Sequence, residues 1–240
     1  MENMYVALDF PNGKQAKAFL HDNDLHGIPV KVGMELFYRE GPEIIYQLKR
    51  QAHPIFLDLK LHDIPQTVMN TMKHLATLEI DMVNVHATGG LEMIKYAKEG
   101  LLKGSLSHVP PKLIAVTILT SMKEDTLKQT LKIQDPLEKY TGHLARLSQM
   151  SNADGVVCSV HEVNHIKRVC GSHFLTVTPG IRLQGEDFDD QRRVSTPTKA
   201  RKQGADVLIV GRSVTKATRP KEAYEQMVKE WKEIDESRSC

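Results

Sequence analysis

The sequence predicts a single-domain (β/α)8 TIM barrel, and three observations support this prediction. Eight short apolar segments of strand length recur along the 240 residues, at 5–9, 29–33, 54–60, 82–86, 113–117, 154–159, 174–179 and 206–211. Apart from the closely spaced sixth and seventh, they are separated by enough chain for a crossover helix. The intervening residues are polar with a helical apolar period. We expect one domain over residues 1–240, with a frayed polar tail at 234–240.

The predicted helices are amphipathic. Their apolar residues recur at helical spacing, as in Ala16, Phe19 and Leu20, then Ile44, Ile45 and Leu48, then Val68, Met72, Leu75 and Leu78. Pro42 and Pro65 fall near helix starts, where proline is tolerated. The competing architecture is an open, doubly wound sheet. Such a sheet usually carries a G-x-G-x-x-G or G-x-x-x-x-G-K-[ST] loop, and neither occurs in this sequence.

Composition excludes several classes of protein. Lys and Arg number 32 against 30 Asp and Glu, so the net charge of +2 gives no reason to expect nucleic acid or a membrane surface as partner. No run of 18 apolar residues and no signal peptide are visible. The cysteines, Cys158, Cys170 and Cys240, are odd in number and form no C-x-x-C pair, which indicates a reducing compartment and no structural zinc. We therefore expect a cytoplasmic protein.

Charged residues interrupt the first three predicted strands. In PIFLDLK (54–60), Asp58 and Lys60 alternate with aliphatic residues at 55, 57 and 59. Since side chains alternate between the two faces of a strand, the aliphatic face should meet the helices and the charges should point inward at the carboxyl-terminal mouth. By the same alternation, Lys31 lies opposite Val30 and Val32, and Asp9 lies opposite Val6 and Leu8.

These four charges predict a reactive site. For any one of them, a helix cap or a lysine reaching out to solvent is the simpler interpretation. Four such residues on three consecutive strands are difficult to explain in that way, because burying an ion costs several kcal/mol even when it is paired. Clusters of perturbed ionisable groups are typical of catalytic sites.

The last two strands carry a phosphate-type signal. TPGIR (178–182) and VGRSVT (210–215) follow the seventh and eighth predicted strands, where barrels of this class commonly bind phosphate. Gly180 and Gly211 would let the backbone approach a ligand, and Arg182 and Arg212 would donate charge-assisted hydrogen bonds. Turn glycines and surface arginines are the alternative interpretation. The polar segment 183–191 is expected to be a mobile loop that closes over a ligand, with Gln191 reaching inward from its far end.

Other reactive side chains give weaker signals. We interpret His62 as a loop residue and His86, which ends the fourth predicted strand, as a supporting residue at the mouth. No H-E-x-x-H or comparable set of metal ligands occurs. Cys158 is expected to pack in the core.

Taken together, these segments resemble a known family. The run FLDLKLHDIPQTV (56–68), with ALDF, VKVGMELFYREGP, VNVHATGG, AVTILTS, DGVVCS, VTPGIR, DDQRRV and IVGRS, is similar to the bacterial orotidine 5'-phosphate decarboxylase family from residue 7 to about residue 215. The D-x-K-x-x-D spacing of Asp58, Lys60 and Asp63 is specific for the superfamily. Lys31 in VKVG, together with the TPGIR, DDQ and VGRS segments, narrows the resemblance from the superfamily to this family. Gln66 stands where the family usually has Asn, and Thr88 where Ala is common.

The resemblance implies an activity and a set of roles. It implies cofactor-free decarboxylation of orotidine 5'-monophosphate to UMP and CO2, the last step of UMP biosynthesis, with no metal. Lys60 would donate the proton, and Asp58 would face the substrate carboxylate. Asp9 and Lys31 would hold the ribose and orient the charged network. Asp63 would be catalytic and would join Asp58 and Lys31 in the charged network. Asp63, Ile64 and Thr67 would reach the site of a partner subunit in a homodimer.

The implied substrate contacts extend beyond the charged residues. Thr120 would contact the pyrimidine, and the phosphate and lid contacts would be Pro179, Arg182, Gln191, Gly211 and Arg212. The complete set of expected substrate-binding residues is Asp9, Lys31, Asp58, Leu59, Lys60, Leu61, His62, Asp63, Ile64, Pro65, Gln66, Thr67, Thr120, Pro179, Arg182, Gln191, Gly211 and Arg212.

Two other functions stay open at this point. One is a metal-dependent sugar-phosphate decarboxylase or epimerase on the same barrel, although Lys31 stands where such a relative carries a glutamate. The other is a protein that binds a nucleotide phosphate without catalysis. An inward Asp–Lys array is costly for binding alone, and kinetics distinguish the two.

Overall fold

The computed structural model describes residues 3–107, 109–122, 124–183 and 194–232. Within them, parallel strands form a closed barrel in chain order, with the eighth strand paired to the first. The strands are β1 (Met4–Ala7), β2 (Val30–Gly33), β3 (Ile55–Leu61), β4 (Met82–His86), β5 (Lys112–Val116), β6 (Gly155–Val157), β7 (Leu175–Ile181) and β8 (Val207–Val210). The predicted (β/α)8 barrel is confirmed, and the open doubly wound sheet is excluded by the closure of β8 on β1.

Helices alternate with the strands around the barrel. They are α1 (Gly13–Asp22), α2 (Met34–Glu40), α3 (Glu43–Arg50), α4 (Pro65–Ala76), α5 (Gly90–Gly104), α6 (Glu124–Gln129), α7 (Leu137–Met150), α8 (Val160–Cys170), α9 (Pro197–Gln203), α10 (Arg212–Thr215) and α11 (Pro220–Lys232). A 3-10 turn at Ala87–Gly89 precedes α5. No helix in the described ranges is long and apolar enough to cross a bilayer.

Local sequence signals account for several helix ends. The side chain of Asn12 caps the start of α1 by accepting a hydrogen bond from the backbone N–H of Gln15. Ser159 and Glu162 form a reciprocal capping box at the start of α8. Pro65 occupies the first turn of α4, as the sequence predicts, because a proline there forfeits no helical hydrogen bond.

Two apolar layers confirm the predicted alternation of faces. The barrel interior is a small cluster of Tyr5, Ala7, Phe56, Met82, Ile114, Val177, Val207 and Ile209. The larger cluster lies between barrel and helices and includes Val6, Leu8, Val30, Val32, Ile55, Leu57 and Leu59. On the first three strands, the residues that alternate with those of the larger cluster therefore face the barrel axis. The charged residues occupy these inward-facing positions, toward the mouth.

Aspartates brace the opposite end of the barrel. Asp81, Asp154 and Asp206 directly precede β4, β6 and β8, and each accepts a backbone N–H from the start of the preceding strand at 2.7 Å. Lys98 and Lys167 donate to the second and third of these carboxylates. The amino ends of the strands are thereby fixed by structural ion pairs, and the chemically unusual charges lie at the other end.

The sixth strand is shorter than predicted. The sequence suggested 154–159, but β6 covers only Gly155–Val157. The side chain of Asp154 is used to bind the β5 backbone, and Ser159 serves as the cap of α8. Cys158 is buried in the outer cluster, which fits its expected packing role. The loop predicted at 183–191, apart from Leu183, and the tail at 234–240 lie outside the described residues.

Candidate active site

Four charged side chains meet at the carboxyl ends of the first three strands. The Nζ of Lys31 lies 3.0 Å from Asp9 Oδ1 and 3.4 Å from Asp58 Oδ2. The Nζ of Lys60 lies 2.6 Å from Asp58 Oδ1. Anions and cations therefore alternate along one continuous chain, in the order Asp9, Lys31, Asp58, Lys60.

This ionic chain runs from solvent into the protein. The side chain of Asp9 is 65% exposed, whereas those of Lys31 and Asp58 are only 10% and 13% exposed. Lys60 is intermediate at 24%. Buried ions are costly unless they are paired, so the inner members depend on one another and cannot be explained as solvated surface charges.

The pairing keeps the buried groups ionised. Burial alone would raise the pKa of Asp58, but Lys31, Lys60 and the hydrogen bonds from Lys60 and Asn84 outweigh it and leave the pKa below its ordinary value. Burial would likewise lower the pKa of Lys31, but Asp58 and Asp9 together leave it raised. The site therefore presents fixed charges of both signs at neutral pH.

An irregularity in β3 accompanies this arrangement. Its pairing with β4 shifts between Leu57, which faces Val83, and Leu61, which faces Val85. Lys60, inside the shifted stretch, adopts the left-handed backbone region with φ of +53°. Left-handed backbone is unfavourable for a residue with a side chain and, when observed, is often associated with a functional site.

Asn84 is a site residue that the sequence reasoning missed. It is fully buried on β4, and its side chain bonds both Asp58 and the backbone of Lys60. A signal was available in MVNVH (82–86), because Asn84 alternates with two valines of the outer cluster and so has inward parity.

Two histidines lie beside the ionic chain. The rings of His62 and His86 are 5.7 Å apart between centroids. Burial lowers the pKa of His86, and the neighbouring His62 and Lys60 lower it further, with Asp58 opposing. His86 ends β4 with inward parity, as expected, whereas His62 is exposed.

The ionic chain forms one wall of a cavity of about 520 Å³. This volume lies within the roughly 300–1,000 Å³ typical of small-molecule sites. The expected site residues that line it are Asp9, Lys31, Asp58, Lys60, Thr120, Pro179, Arg182, Gly211 and Arg212. Ile118, Leu119, Thr215 and Lys216 also line it and were not singled out from the sequence. The cavity therefore joins the charged strands to the segments after β7 and β8.

A second wall of the cavity, formed by the segments after β7 and β8, is basic and irregular in backbone. The pairing of β7 with β8 shifts between Thr178 and Ile181, and Gly180 within that shift has φ of +80°, a conformation suited to glycine. Arg182 is buried, with Nη1 donating to the carbonyl of Ile181 at 3.0 Å. Arg212 begins α10, and Lys216 follows it. This wall is suited to an anionic group.

The remaining expected residues lie away from this cavity. Leu59 is buried in the outer cluster, and Leu61 packs against it. Asp63, Ile64, Gln66 and Thr67 are exposed, with His62 and the half-buried Pro65 beside them. Gln191 lies outside the described residues. The chain thus places the segment after β3 outside its own pocket.

Other features of the described ranges do not compete with this cavity. They hold no group of three or more His, Cys, Asp or Glu side chains arranged to bind a metal ion. A second cleft, of about 790 Å³, is lined by α11 and the residues before β2, at the amino ends of the strands. It lies far from the ionic chain.

A family model and individual relatives of known function indicate the same family. Residues 2–227 match the model of the Orotidine 5'-phosphate decarboxylase / HUMPS family. The orotidine 5'-phosphate decarboxylases of Bacillus mycoides (strain KBAB4) and Bacillus cereus (strain B4264) are each 50% identical over 234 residues, 97% of this chain and 98% of theirs.

Solved structures resemble the chain over almost its whole length. The crystal structure of orotidine 5'-phosphate decarboxylase from Lactobacillus acidophilus has a TM-score of 0.87 and 44% identity, covering 97% of this chain and 100% of that one. An uncharacterized conserved protein from Geobacillus kaustophilus has a TM-score of 0.85 and 45% identity, covering 95% and 99%.

Proposed function

The chain belongs to the orotidine 5'-phosphate decarboxylase / HUMPS family, and from that premise we propose that it decarboxylates orotidine 5'-monophosphate to UMP and CO2 in pyrimidine biosynthesis. The observation that carries this proposal is the ionic chain of Asp9, Lys31, Asp58 and Lys60 on one wall of a cavity whose other wall is basic. A nucleoside monophosphate matches this arrangement, because its reactive base can face the ionic chain while its phosphate lies against the basic wall.

Lys60 is the proposed acid. Loss of CO2 leaves an electron pair and a negative charge on ring carbon C6. The Lys60 ammonium stabilises that charge and donates a proton to C6, which forms the C–H bond of UMP and leaves a neutral amine that water reprotonates. A preorganised cation in a poorly solvated site costs no reorganisation at the moment of reaction, which is why it is effective.

Asp58 is the proposed neighbour of the substrate carboxylate. Two anions in close contact repel, and that repulsion relaxes as CO2 departs. Unit charges about 4 Å apart interact by about 4 kcal/mol at an effective dielectric of 20, and about 1.36 kcal/mol corresponds to a tenfold change in rate. The repulsion at Asp58 and the attraction at Lys60 can therefore each supply roughly two to three decades of rate.

Lys31 and Asp9 hold this pair of groups in place. Lys31 lies between the two aspartates and contacts both, so its charge fixes the inner carboxylate from the side opposite Lys60. The exposed Asp9 is positioned at the rim, where we place the ribose. Gly33 supports the arrangement, since a Cβ there would lie 3.2 Å from the Lys31 ammonium.

The phosphate is proposed to bind at the basic wall. Arg212 and the backbone around Gly180 and Gly211 line the cavity there, with Arg182 and Pro179 beside them. Binding energy from this remote group can be used to close the site and exclude water, which raises the rate of the chemical step. Thr120, on the same cavity, is placed to contact the base.

We propose a homodimer in which Asp63, Ile64 and Thr67 complete the partner's site. All three side chains are exposed and none lines the cavity of its own chain. Ile64 is 67% exposed, and a large aliphatic side chain with that exposure is suited to burial against another subunit.

We propose that the reaction requires no metal ion. Asp9 and Asp58 could otherwise converge on a cation, but Lys31 already occupies the position between them. A metal-dependent sugar-phosphate enzyme would need further carboxylates at that point.

The function is tested by mixing the chain with orotidine 5'-monophosphate and following the ultraviolet absorbance, with and without EDTA. We expect conversion to UMP at equal rates in both samples. No conversion would leave a binding protein as the better description, and conversion only without EDTA would support a metal-dependent reaction.

A further inference from the structure

Asn84 faces the irregular stretch of β3 that carries the reactive charges. Leu57 pairs with Val83 and Leu61 with Val85, so three residues, Asp58, Leu59 and Lys60, stand opposite Asn84 alone. A bulge of this kind re-aims side chains and leaves backbone groups without their regular partners. The residue opposite the bulge must therefore compensate for what the regular pairing would supply.

The Asn84 side chain bonds both ends of the bulge. Its Nδ2 donates to Asp58 Oδ1 at 2.6 Å, and its Oδ1 accepts from the backbone N–H of Lys60 at 2.7 Å. Asp58 Oδ1 also accepts from Lys60 Nζ at 2.6 Å. One amide thus fixes the direction of the carboxylate and the backbone from which the ammonium extends.

We propose that Asn84 is a positioning residue that holds Asp58 and Lys60 in the geometry required for decarboxylation. This inference rests on the proposed function. It gives β4, through Asn84, a role in the site beside the charged residues of β2 and β3.

The chemistry of an amide suits this position. Asn84 is fully buried, so both of its polar ends require partners, and both have them. A carboxylate there could accept from Lys60 but would repel Asp58. An aliphatic residue would leave the Lys60 N–H without this acceptor and Asp58 without this donor.

The charged surroundings of Asn84 come from neighbouring strands. Asp58 and Lys60 face it from β3, and Lys31 on β2 reaches the other oxygen of Asp58. His86 lies two positions further on β4, beside His62. The β5 residue that pairs with Asn84 is the apolar Ile114.

Asn84→Asp separates positioning from simple packing, since it conserves shape but replaces the donor by a carboxylate. Two carboxylates that share a site raise the pKa of one of them, so the new carboxyl should become protonated as the pH falls and then donate to Asp58 as the amide does. We expect kcat relative to the unchanged chain to be about 100-fold lower at pH 8.5 and to recover about tenfold by pH 5.5, with KM within about threefold.

Asn84→Ala provides a second test if the aspartate variant does not fold. Its kcat should fall about 10- to 100-fold at every pH, because both hydrogen bonds are lost and nothing titratable replaces them. The matched control is Thr176→Val, which removes a buried hydroxyl bonded to Asp206 at the other end of the barrel and should lower the melting temperature without changing kcat.

The outcomes are distinct. A kcat ratio for Asn84→Asp that is flat with pH, or a kcat for Asn84→Ala within about twofold of the unchanged chain, would overturn the positioning role. Absence of decarboxylation by the unchanged chain would instead overturn the proposed function, and this inference with it.

Discussion

The ammonium of Lys60 lies 2.6 Å from the carboxylate of Asp58, although the two residues are only two positions apart on one strand. In a regular strand such residues share a face, but their side chains project in parallel. The left-handed backbone at Lys60 and the shifted pairing with β4 coincide with this close approach. The proposed acid and the proposed repelling carboxylate are therefore in direct contact within one short irregular stretch of β3.

Arg212→Ala tests the phosphate assignment. Loss of a charge-assisted hydrogen bond of about 1.5–3 kcal/mol should lower kcat/KM for orotidine 5'-monophosphate about 10- to 150-fold. Orotidine, which has no phosphate, should be affected less than about threefold. Arg219→Ala is the control, since that exposed arginine pairs with Glu222. Equal losses with the two substrates would contradict the assignment.

Shared sites are tested by a mixed dimer of Lys60→Ala and Asp63→Ala chains, isolated through two different affinity tags. Each homodimer should be nearly inactive. The mixed dimer should recover about half of the unchanged activity, because one of its two sites receives an intact Lys60 and an intact Asp63 from different chains. An inactive mixed dimer would show that Lys60 and Asp63 of the same chain act together.

Asp58→Asn tests the electrostatic coupling of Asp58 to Lys31 and Lys60, measured through the stability of the fold. The pKa of Asp58 is lower in the folded chain than its ordinary value of 3.8, so its stabilising contribution is complete above that value and is lost as the pH falls through the folded pKa. At pH 7 the substitution should reduce the free energy of unfolding by about 3 kcal/mol, because Lys31 and Lys60 lose their central anion.

The difference between Asp58→Asn and the unchanged chain should shrink below about pH 4, as the native carboxylate itself becomes protonated. Urea unfolding at several pH values measures it. Asp135→Asn is the control, since that surface residue, just before α7, pairs with Lys139 in the first turn of the helix and should change stability by less than about 0.5 kcal/mol. A difference for Asp58→Asn that does not vary with pH would argue against the coupling.

Strand alternation is enough to predict much of this site. The faces of β1, β2 and β3 follow from residues such as Val30, Lys31 and Val32, because a barrel strand must direct its aliphatic side toward the helices. The same rule applied to β4 would have found Asn84. Local pattern therefore carries information about which side chains can reach the mouth.

The bulges could not be predicted in this way. The shift opposite Asn84 depends on how β3 pairs with β4, and nothing in PIFLDLK indicates that Lys60 adopts a left-handed backbone. Likewise, the sequence pattern does not distinguish α2 (Met34–Glu40) from α3, because only seven residues separate β2 from Gly41. Register and short connections are set by tertiary packing, which a single sequence does not display.

The central claim is that the Lys60 ammonium stabilises and protonates the carbanion at C6, and Lys60→Ala tests it most directly. Alanine tolerates φ of +53° no better than lysine does, so the substitution removes the charge without relaxing the backbone. We predict that decarboxylation, followed by absorbance, falls by at least about a thousandfold, while UMP still binds and Lys112→Ala, at the opposite end of the barrel, has no effect. Near-normal turnover by the Lys60→Ala chain would contradict the claim.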